Sequence, residues 1–400
     1  MDLFQGKLYW PETSRNSRRY DKLEGDLECD VLIIGGGLSG ALCAFLLGEY
    51  GVDTVLIEKN KIGERVSAAN TGSLHFMSDQ MLTDLIKQIG DEKAVSFYKL
   101  SQKAIDELAR IAADSDTESG FEKKSSLYFS SSNSDLSKLK AEYELLSKLD
   151  FPVAFMDKKE IESKFPFTKP GAIYTLCDAR INPLKYCQAV TERAAGKGVK
   201  IFENTAMKDY ELGDKKHTFK TNGGTISAQK VIFATGYDTL DFMNTKKITL
   251  SRTHAIVTNP LSDRERWYED CLIWETKRPY LYISLSDEKR LIAGGLDETE
   301  PVGGYSRKEF KRKTEKLLDS VKELFPNLEA KVEFEYNSIY ANTFDGLPLI
   351  GEHPKHKNVY FLLGFGGNGT VCSMIGAIII RDLIKYNYHP AADIVRLDRS

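Results

Sequence analysis

The stretch Cys29–Asn60, CDVLIIGGGLSGALCAFLLGEYGVDTVLIEKN, decides how the chain is read. Val31 to Ile34 is a short apolar run bounded by glycines, the pattern of a buried parallel strand. Gly35, Gly37 and Gly40 follow with G-x-G-x-x-G spacing. The first permits a tight turn, the second lets a pyrophosphate approach the backbone, and the third lets a helix pack closely on the strand. Ser39 to Tyr50 reads as that helix, so Leu38 and Ser39 place free N–H groups and a positive dipole end at the phosphates. Gly51 stops it. Val55 to Ile57 is a second buried strand, ending at Glu58 and Lys59. A carboxylate about 20 residues past the glycines accepts from a ribose diol and repels a 2′-phosphate, which disfavours NADP. A glycine turn alone would serve packing equally well, but strand, glycines, helix, second strand and acid together specify a dinucleotide site.

The rest of the composition excludes more than it assigns. With 400 residues the chain has room for two or three domain-sized units and a sizeable core. A net charge of −3 offers no electrostatic footprint for nucleic acid. The basic cluster Lys311–Lys313 lies on an amphipathic segment and reads as a solvated face. The six cysteines are scattered without a Cys-x-x-Cys, so no metal site is expected. Cys29, Cys43 and Cys372 read as small core hydrophobes with reduced thiols. The N-terminus lacks a signal-peptide pattern and no apolar run reaches membrane-spanning length. These features predict a soluble cytoplasmic protein with neither nucleic-acid nor membrane partners; oligomeric state is left open.

Along the chain, residues 1–27 read as a polar arm over the first domain. Helices are predicted at about 81–89 and 92–113, and a strand around Ser126. A further helix is predicted over 136–149, capped by Ser134. Asn182-Pro183 supplies a cap and a first-turn proline for a helix running to Gly196. Short strands follow over 199–221, then the buried strand KVIFATG at Lys230. A strand-rich region over 247–300 includes a hairpin turning at Asp287-Glu288, and a surface helix is predicted over 305–325. The tail repeats the opening theme: strand NVYFLLG, loop GFGGNG, and a helix from Thr370 to Lys385.

Several of these loops point to a flavin rather than a nicotinamide. A nicotinamide needs little beyond the first β-α-β unit. FAD is longer and bulkier, so distant loops must converge on it. The candidates are Gly35–Gly40, the polar loop with Ser67, Asn70, Thr71 and Gly72, the strand end Thr235-Gly236, and Gly366, Gly367, Asn368, Gly369 and Thr370. The last loop and its following helix N-terminus suit negative charge on a flavin's pyrimidine end.

On these motifs, with SAANTG at Ser67, DARINP at Asp178, VIFATG at Val231, RLIAGG at Arg290, TFDGLPLIG and GFGGNG, the sequence resembles the D-amino-acid oxidase-like FAD-dependent oxidoreductases. That is the broad family of glycine oxidase and sarcosine oxidase. RPYLYI at Arg278 is similar to the branch containing γ-glutamylputrescine oxidase. The resemblance implies an α/β fold: a Rossmann-type FAD-binding domain interleaved with a substrate domain on a large mixed or antiparallel sheet, of the glutathione-reductase-2-like, p-hydroxybenzoate-hydroxylase-like kind. The FAD-binding segments would be 1–90, 171–240 and 339–400, and the substrate segments 91–170 and 241–338. The implied reaction is oxidation of the C–N bond of an amine or amino acid by hydride transfer to flavin N5, with oxygen or another acceptor closing the cycle.

Departures from the family shape the expected site. Tyr340 and Gly367 stand where amino-acid oxidases carry carboxylate-binding arginines, which favours an amine without a carboxylate unless Arg252 or Arg278 reaches in. Ser338 and Ala69 stand where relatives carry flavin-linking residues, so FAD is expected to be non-covalent. His75, Tyr282 and Tyr340 are the candidate catalytic residues. His75 is weighed against a packing histidine, and Tyr280 with Tyr282 as an aromatic wall against core packing. His254 reads as a satisfied sheet histidine, and His353, His356 and His389 as surface. Two other readings stay open: a nicotinamide-dependent dehydrogenase, and a flavin-binding interaction module without turnover.

Overall fold

A computed structural model describes residues 3–14, 18–114, 118–236, 247–299 and 306–399. The run after Cys29 forms the strand Leu27–Ile34, flanked by parallel neighbours on both sides. Leu32 pairs with Val55 of Thr54–Ile57 and with Val231 of Thr225–Phe233. Val31–Ile34, Thr54–Ile57 and Val231–Phe233 are buried, which is why these strands are continuously apolar rather than alternating. The sheet runs in the order Leu349–His353, His356–Leu363, Thr225–Phe233, Leu27–Ile34, Thr54–Ile57 and Lys200–Phe202. The hairpin of Met207–Leu212 and His217–Thr221 hangs from Thr225–Phe233. Helix Leu38–Glu49 is buried from Gly40 to Gly48, packed between Pro183–Gly196 and Gly369–Tyr386. Its small residues Gly40, Ala41, Ala44 and Gly48 permit that three-way packing.

The second sheet joins ten strands among the described residues. Its path is Phe4–Gly6, Val332–Thr343, Ile248–Pro260, Arg290–Thr299, Tyr282–Leu285, Leu272–Glu275, Glu122–Phe129, Gly171–Arg180 and Ser73–Leu74, with Val153–Asp157 beside Gly171–Arg180. Its pairings are antiparallel except between Leu272–Glu275 and Glu122–Phe129. Helix Arg307–Leu324, capped by the Ser306–Glu309 box, buries Phe310, Leu317 and Val321 against the central strands. One face of this sheet is thereby covered. Thr253 and Ala255, which alternate with His254, belong to the other face, over the loops of the first sheet.

The structure departs from the sequence reading in several places. The arm contributes Phe4–Gly6 to the edge of the ten-stranded sheet, through Phe4–Ser338 and Gly6–Tyr336, because its backbone completes an open edge. Gly171–Arg180 also belongs to that sheet, and Val332–Thr343 runs through position 338, so neither division point coincides with a change of sheet. Ser134 does not cap helix Leu136–Lys148: its hydroxyl pairs with Ser132, and Asp135 occupies the cap position. His353 and His356 close a strand pair with rings 4.7 Å apart instead of lying in a loop; His356 is exposed, and His389 is a half-buried residue of the loop after helix Gly369–Tyr386. Tyr305 lies outside the described residues. Among the described residues no helix is long and apolar enough to cross a membrane.

Candidate active site

The loops of the first sheet and the free face of the second enclose a cavity of 460 Å³. At one end stand Gly35, Gly37, Leu38 and Ser39, with Glu58 and Lys59 beside them. Helix Leu38–Glu49 begins there at Gly37 without a side-chain cap. Leu38 donates its N–H to Ser67 Oγ at 3.1 Å, and Ser39 Oγ meets Ser373 Oγ at 2.8 Å. Glu58 accepts from the N–H of Gly36 at 2.7 Å and of Asn60 at 2.8 Å. Burial raises the Glu58 pKa, opposed by those two amides and by Lys59 and Arg65. Gly36, which the spacing rule leaves as an unspecified position, is thus bound to the acid at the end of the next strand.

Ser67, Asn70 and Thr71 line the middle of the cavity with Thr235 and Gly236. Asn70 Oδ1 accepts from Gly72 N at 2.7 Å, and Trp10 Nε1 donates to Asn70 O at 2.6 Å. Three expected residues do not line it. Gly40 is packed against Gly35, Gly72 turns the chain beside Ile181, and Thr370 is buried with its hydroxyl accepting from Asn70 Nδ2. They support the cradle from behind.

The far end is built differently. Gly366, Gly367, Asn368 and Gly369 meet the segment after His75, with Gly367 N donating to Asp79 at 2.8 Å and Asn368 Nδ2 to His75 O at 2.6 Å. A Cβ on Gly367 would lie 2.5 Å from Tyr280 OH and 2.9 Å from Asp79 Oδ2, so the space an arginine would need here is already filled. His75 lines the cavity. Its Nδ1 lies 3.2 Å from Ser126 Oγ and 3.3 Å from Asp178 Oδ2, which leaves Nε2 as its other polar atom. Asp178 is fully buried and also accepts from Phe76 N and Thr175 Oγ1, so the imidazole is held on a rigid base.

Tyr280, Tyr282, Trp274, Tyr336 and Tyr340 also line this end, with Tyr280 and Tyr282 ring centroids 5.7 Å apart. They form a wall of the cavity, Trp274 and Tyr336 belonging at the same time to the buried core behind it. Tyr282 lies across Gly294, where a Cβ would come within 2.1 Å of its ring. Burial pushes the Tyr282 phenol up to about 12 and raises that of Tyr340, so both are neutral hydroxyls at neutral pH.

Neither arginine weighed from the sequence lines the cavity. Arg252 is buried and donates to Asn337 at 2.5 Å. Arg278 lies over Tyr280 and donates to the carbonyls of Glu275, Thr276, Lys277 and Asp79. His254 faces Phe310 and Glu298 on the opposite side of the sheet, its pKa lowered by burial to about 4.

Sequence reasoning missed Asp79, Trp274 and Tyr336, which line this end, and also Asp297. Asp297 lies two residues past RLIAGG, but the ladder to Ile248–Pro260 shifts there: Gly295 pairs with His254 and Glu298 with Arg252, leaving Leu296 and Asp297 opposite Thr253. Leu296 adopts φ 58°, and the bulge sets Asp297 in the cavity wall. Simple alternation along the strand would not have located it.

The fit to a flavin dinucleotide rests on these features together. A glycine cradle and helix N-terminus stand at one end, and a second glycine loop and aromatic wall at the other. Asn368 Oδ1, Trp274 Nε1 and Tyr336 OH, all on cavity-lining residues, are buried without a hydrogen-bond partner. A sheet whose central strands are parallel, with its ligand crevice at their carboxyl ends and a second mixed sheet facing it, defines a dinucleotide-binding protein. The family model described as FAD dependent oxidoreductase matches residues 30–383, and the chain belongs to that family; its cofactor is FAD. The chain is similar to a putative Rieske 2Fe-2S iron-sulfur protein, YhfW, of Bacillus subtilis (strain 168), 22% identical over 96% of this chain and 74% of that protein. Glycine oxidase of Geobacillus kaustophilus (strain HTA426) is 24% identical over 89% of this chain and 93% of its own. The crystal structure of glycine oxidase from that species superposes with a TM-score of 0.80 at 21% identity, covering 94% and 99% of the two chains. γ-Glutamylputrescine oxidoreductase of Escherichia coli (strain K12) is 22% identical over 94% and 88%.

The Glu58 end gives a direct check on cofactor placement. Glu58→Gln removes the charge and one of the acceptor oxygens that the ribose hydroxyls would use. Losing such an acceptor costs about 1–3 kcal/mol, so FAD affinity should fall by about five- to a hundredfold. Equal affinity in a fluorescence titration of the apoproteins would place the adenosine end elsewhere.

Proposed function

We propose that this chain oxidises the C–N bond of a small amine, with FAD held non-covalently along the cavity and the substrate against its aromatic end. The observation that carries the reading is the asymmetry of the cavity. Among the described residues its lysine and arginine, Lys59 and Arg65, lie beside Glu58, while the far end presents tyrosines, a tryptophan and the two carboxylates Asp79 and Asp297. A substrate carboxylate would meet no guanidinium there.

When bound, FAD supplies the two-electron acceptor. The chain's own residues do the rest. Gly37, Ser39 and Ser67 would present hydrogen-bonding groups to the pyrophosphate, with the Leu38 N–H holding Ser67 in place, and Glu58 would accept from the ribose. Asn70, Gly366 and Asn368 bound the ring region. Tyr282 and Tyr340 orient the substrate as neutral hydroxyls, and Trp274 and Tyr280 exclude water from the reacting carbon. His75, held by Asp178, presents a fixed imidazole edge to the same space.

Two measurements test this. The purified protein should be yellow and should release FAD on acid or heat treatment. Ser338 and Ala69 offer no linking atom, and no cysteine lines the cavity among the described residues. Fluorescence that stays with the protein band in a denaturing gel would contradict non-covalent binding. Anaerobic addition of N-alkyl amines and polyamine derivatives should bleach the flavin. A flavin-loaded protein bleached by none of a broad amine panel would instead be a binding module, and a colourless one without flavin affinity would remove the reading altogether.

A further inference from the structure

We infer that the cavity's aromatic end is an alkylammonium cage centred on Asp297, so that the substrate is recognised as a cation through its own nitrogen. The inference rests on the amine-oxidising reading and names the substrate class and the residue that selects it.

Three observations carry it. The first is the bulge at Leu296, where a non-glycine residue takes a left-handed conformation and the carboxyl of Asp297 faces the hydroxyls of Thr253 and Tyr340. A conformation of that kind costs free energy, and it persists where the surrounding structure enforces it. The second is that Asp297 Oδ1 is buried without a hydrogen-bond partner. A buried carboxylate oxygen with nothing to accept from is costly unless a donor or cation arrives. The third is the aromatic setting. Trp274 and Tyr280 meet edge to face at 6.5 Å, Tyr280 and Tyr282 are 5.7 Å apart, and Tyr336 and Tyr340 line the same cavity. Ring faces around a carboxylate are the chemistry that binds substituted ammonium groups.

A bound cation would also offset the burial that raises the Asp297 pKa. Burial raises the Asp297 pKa, opposed by Thr253 and Tyr340; Asp79 raises it further and Arg278 lowers it. Asp79 adds a second negative group near the mouth, already engaged by Gly367 N and Tyr280 OH. A substrate carboxylate would be repelled by both acids. Any alkylammonium group supplies the missing charge, and one that bears an N–H supplies the missing donor as well.

The test uses the FAD-loaded protein and a probe that cannot turn over. Butyltrimethylammonium carries a permanent charge and no nitrogen lone pair; butyrate has the same chain length and the opposite charge. Perturbation of the flavin absorbance, or calorimetry, reports binding of either. The unaltered protein should bind butyltrimethylammonium more tightly than butyrate. Asp297→Asn, which keeps the shape and removes the charge, should weaken the cation about tenfold through loss of the ion pair, while leaving flavin content unchanged. Butyrate binding as tightly as the cation in the unaltered protein overturns the inference whether or not the variant folds. Unchanged cation affinity in a folded Asp297→Asn does the same. The broader reading fails separately: selective cation binding with no bleaching by any oxidisable amine would leave the cage in place and remove the enzyme.

Discussion

Gly40→Ala is expected to strip FAD from the protein and destabilise its fold, although it adds a single methyl group. A Cβ at position 40 would lie 1.9 Å from the carbonyl oxygen of Gly35, a backbone atom that cannot swing aside. Relief requires helix Leu38–Glu49 to move away from the glycine turn. That helix is packed by Pro183–Gly196 and Gly369–Tyr386, so the displacement reaches both neighbours. Overpacking of this kind costs about 1–3 kcal/mol or more, and it also withdraws the helix N-terminus from the pyrophosphate. Gly196→Ala is the internal control. It ends a helix with nothing within 4 Å of the added atom, and should be neutral or stabilising by up to about 1 kcal/mol. Flavin content and thermal melting of the two variants decide the matter. A Gly40→Ala protein that purifies fully loaded and melts with the parent would show that the turn is not held as described.

Arg399→Ala should be the most damaging single change remote from the cavity. Arg399 binds both oxygens of Asp345 at 2.7 and 2.8 Å and donates to the carbonyls of Pro348 and Leu347, with Asp345 and Arg399 both buried. Removing the guanidinium leaves an uncompensated buried carboxylate, at a cost of about 3–5 kcal/mol. The pH dependence follows from the direction of the Asp345 shift. Burial pushes this carboxyl up, but pairing with Arg399 outweighs it and the pKa is held below its ordinary 3.8. The pair therefore stabilises the protein fully above that ordinary value and loses its effect as pH falls through the folded-state value. Denaturant unfolding should show a large parent–variant difference at pH 7 that shrinks in strong acid. A difference that grows on acidification, or stays below 1 kcal/mol at pH 7, would contradict the assignment.

Asp345 stands within the TFDGLPLIG stretch that marked the family resemblance, yet its partner lies 54 residues further on. The motif was legible and its function in the fold was not. The same division runs through the cavity. Gly35, Gly37, Glu58 and the helix between them were legible because a strand, a tight turn and a helix N-terminus are local structures, set by residues adjacent in sequence. The two glycine loops and Asn70 were legible as candidates because FAD is long enough to require them. The failures are at longer range. Arg252 and Arg278 were named as cations that might reach inward, but one is bound to Asn337 and the other to the carbonyls of its own turn. Gly367 was read as a missing arginine. The reason for the glycine, Asp79 and Tyr280 filling its space, comes from two segments far away in the chain.

By itself the sequence determined the dinucleotide half of this protein: the parallel strands, the glycine turn, the acid for the ribose and the number of loops that must converge. Each of these depends on backbone geometry within a few residues. Only the tertiary structure decided the character of the substrate end. Whether Tyr282 and Tyr340 face a cavity or a core depends on which side of the ten-stranded sheet helix Arg307–Leu324 covers. Asp297 depends on a one-residue bulge that breaks the alternation from which strand side chains are ordinarily assigned to faces. A bulge is specified by the pairing of two strands, and pairing is a property that neither strand carries alone.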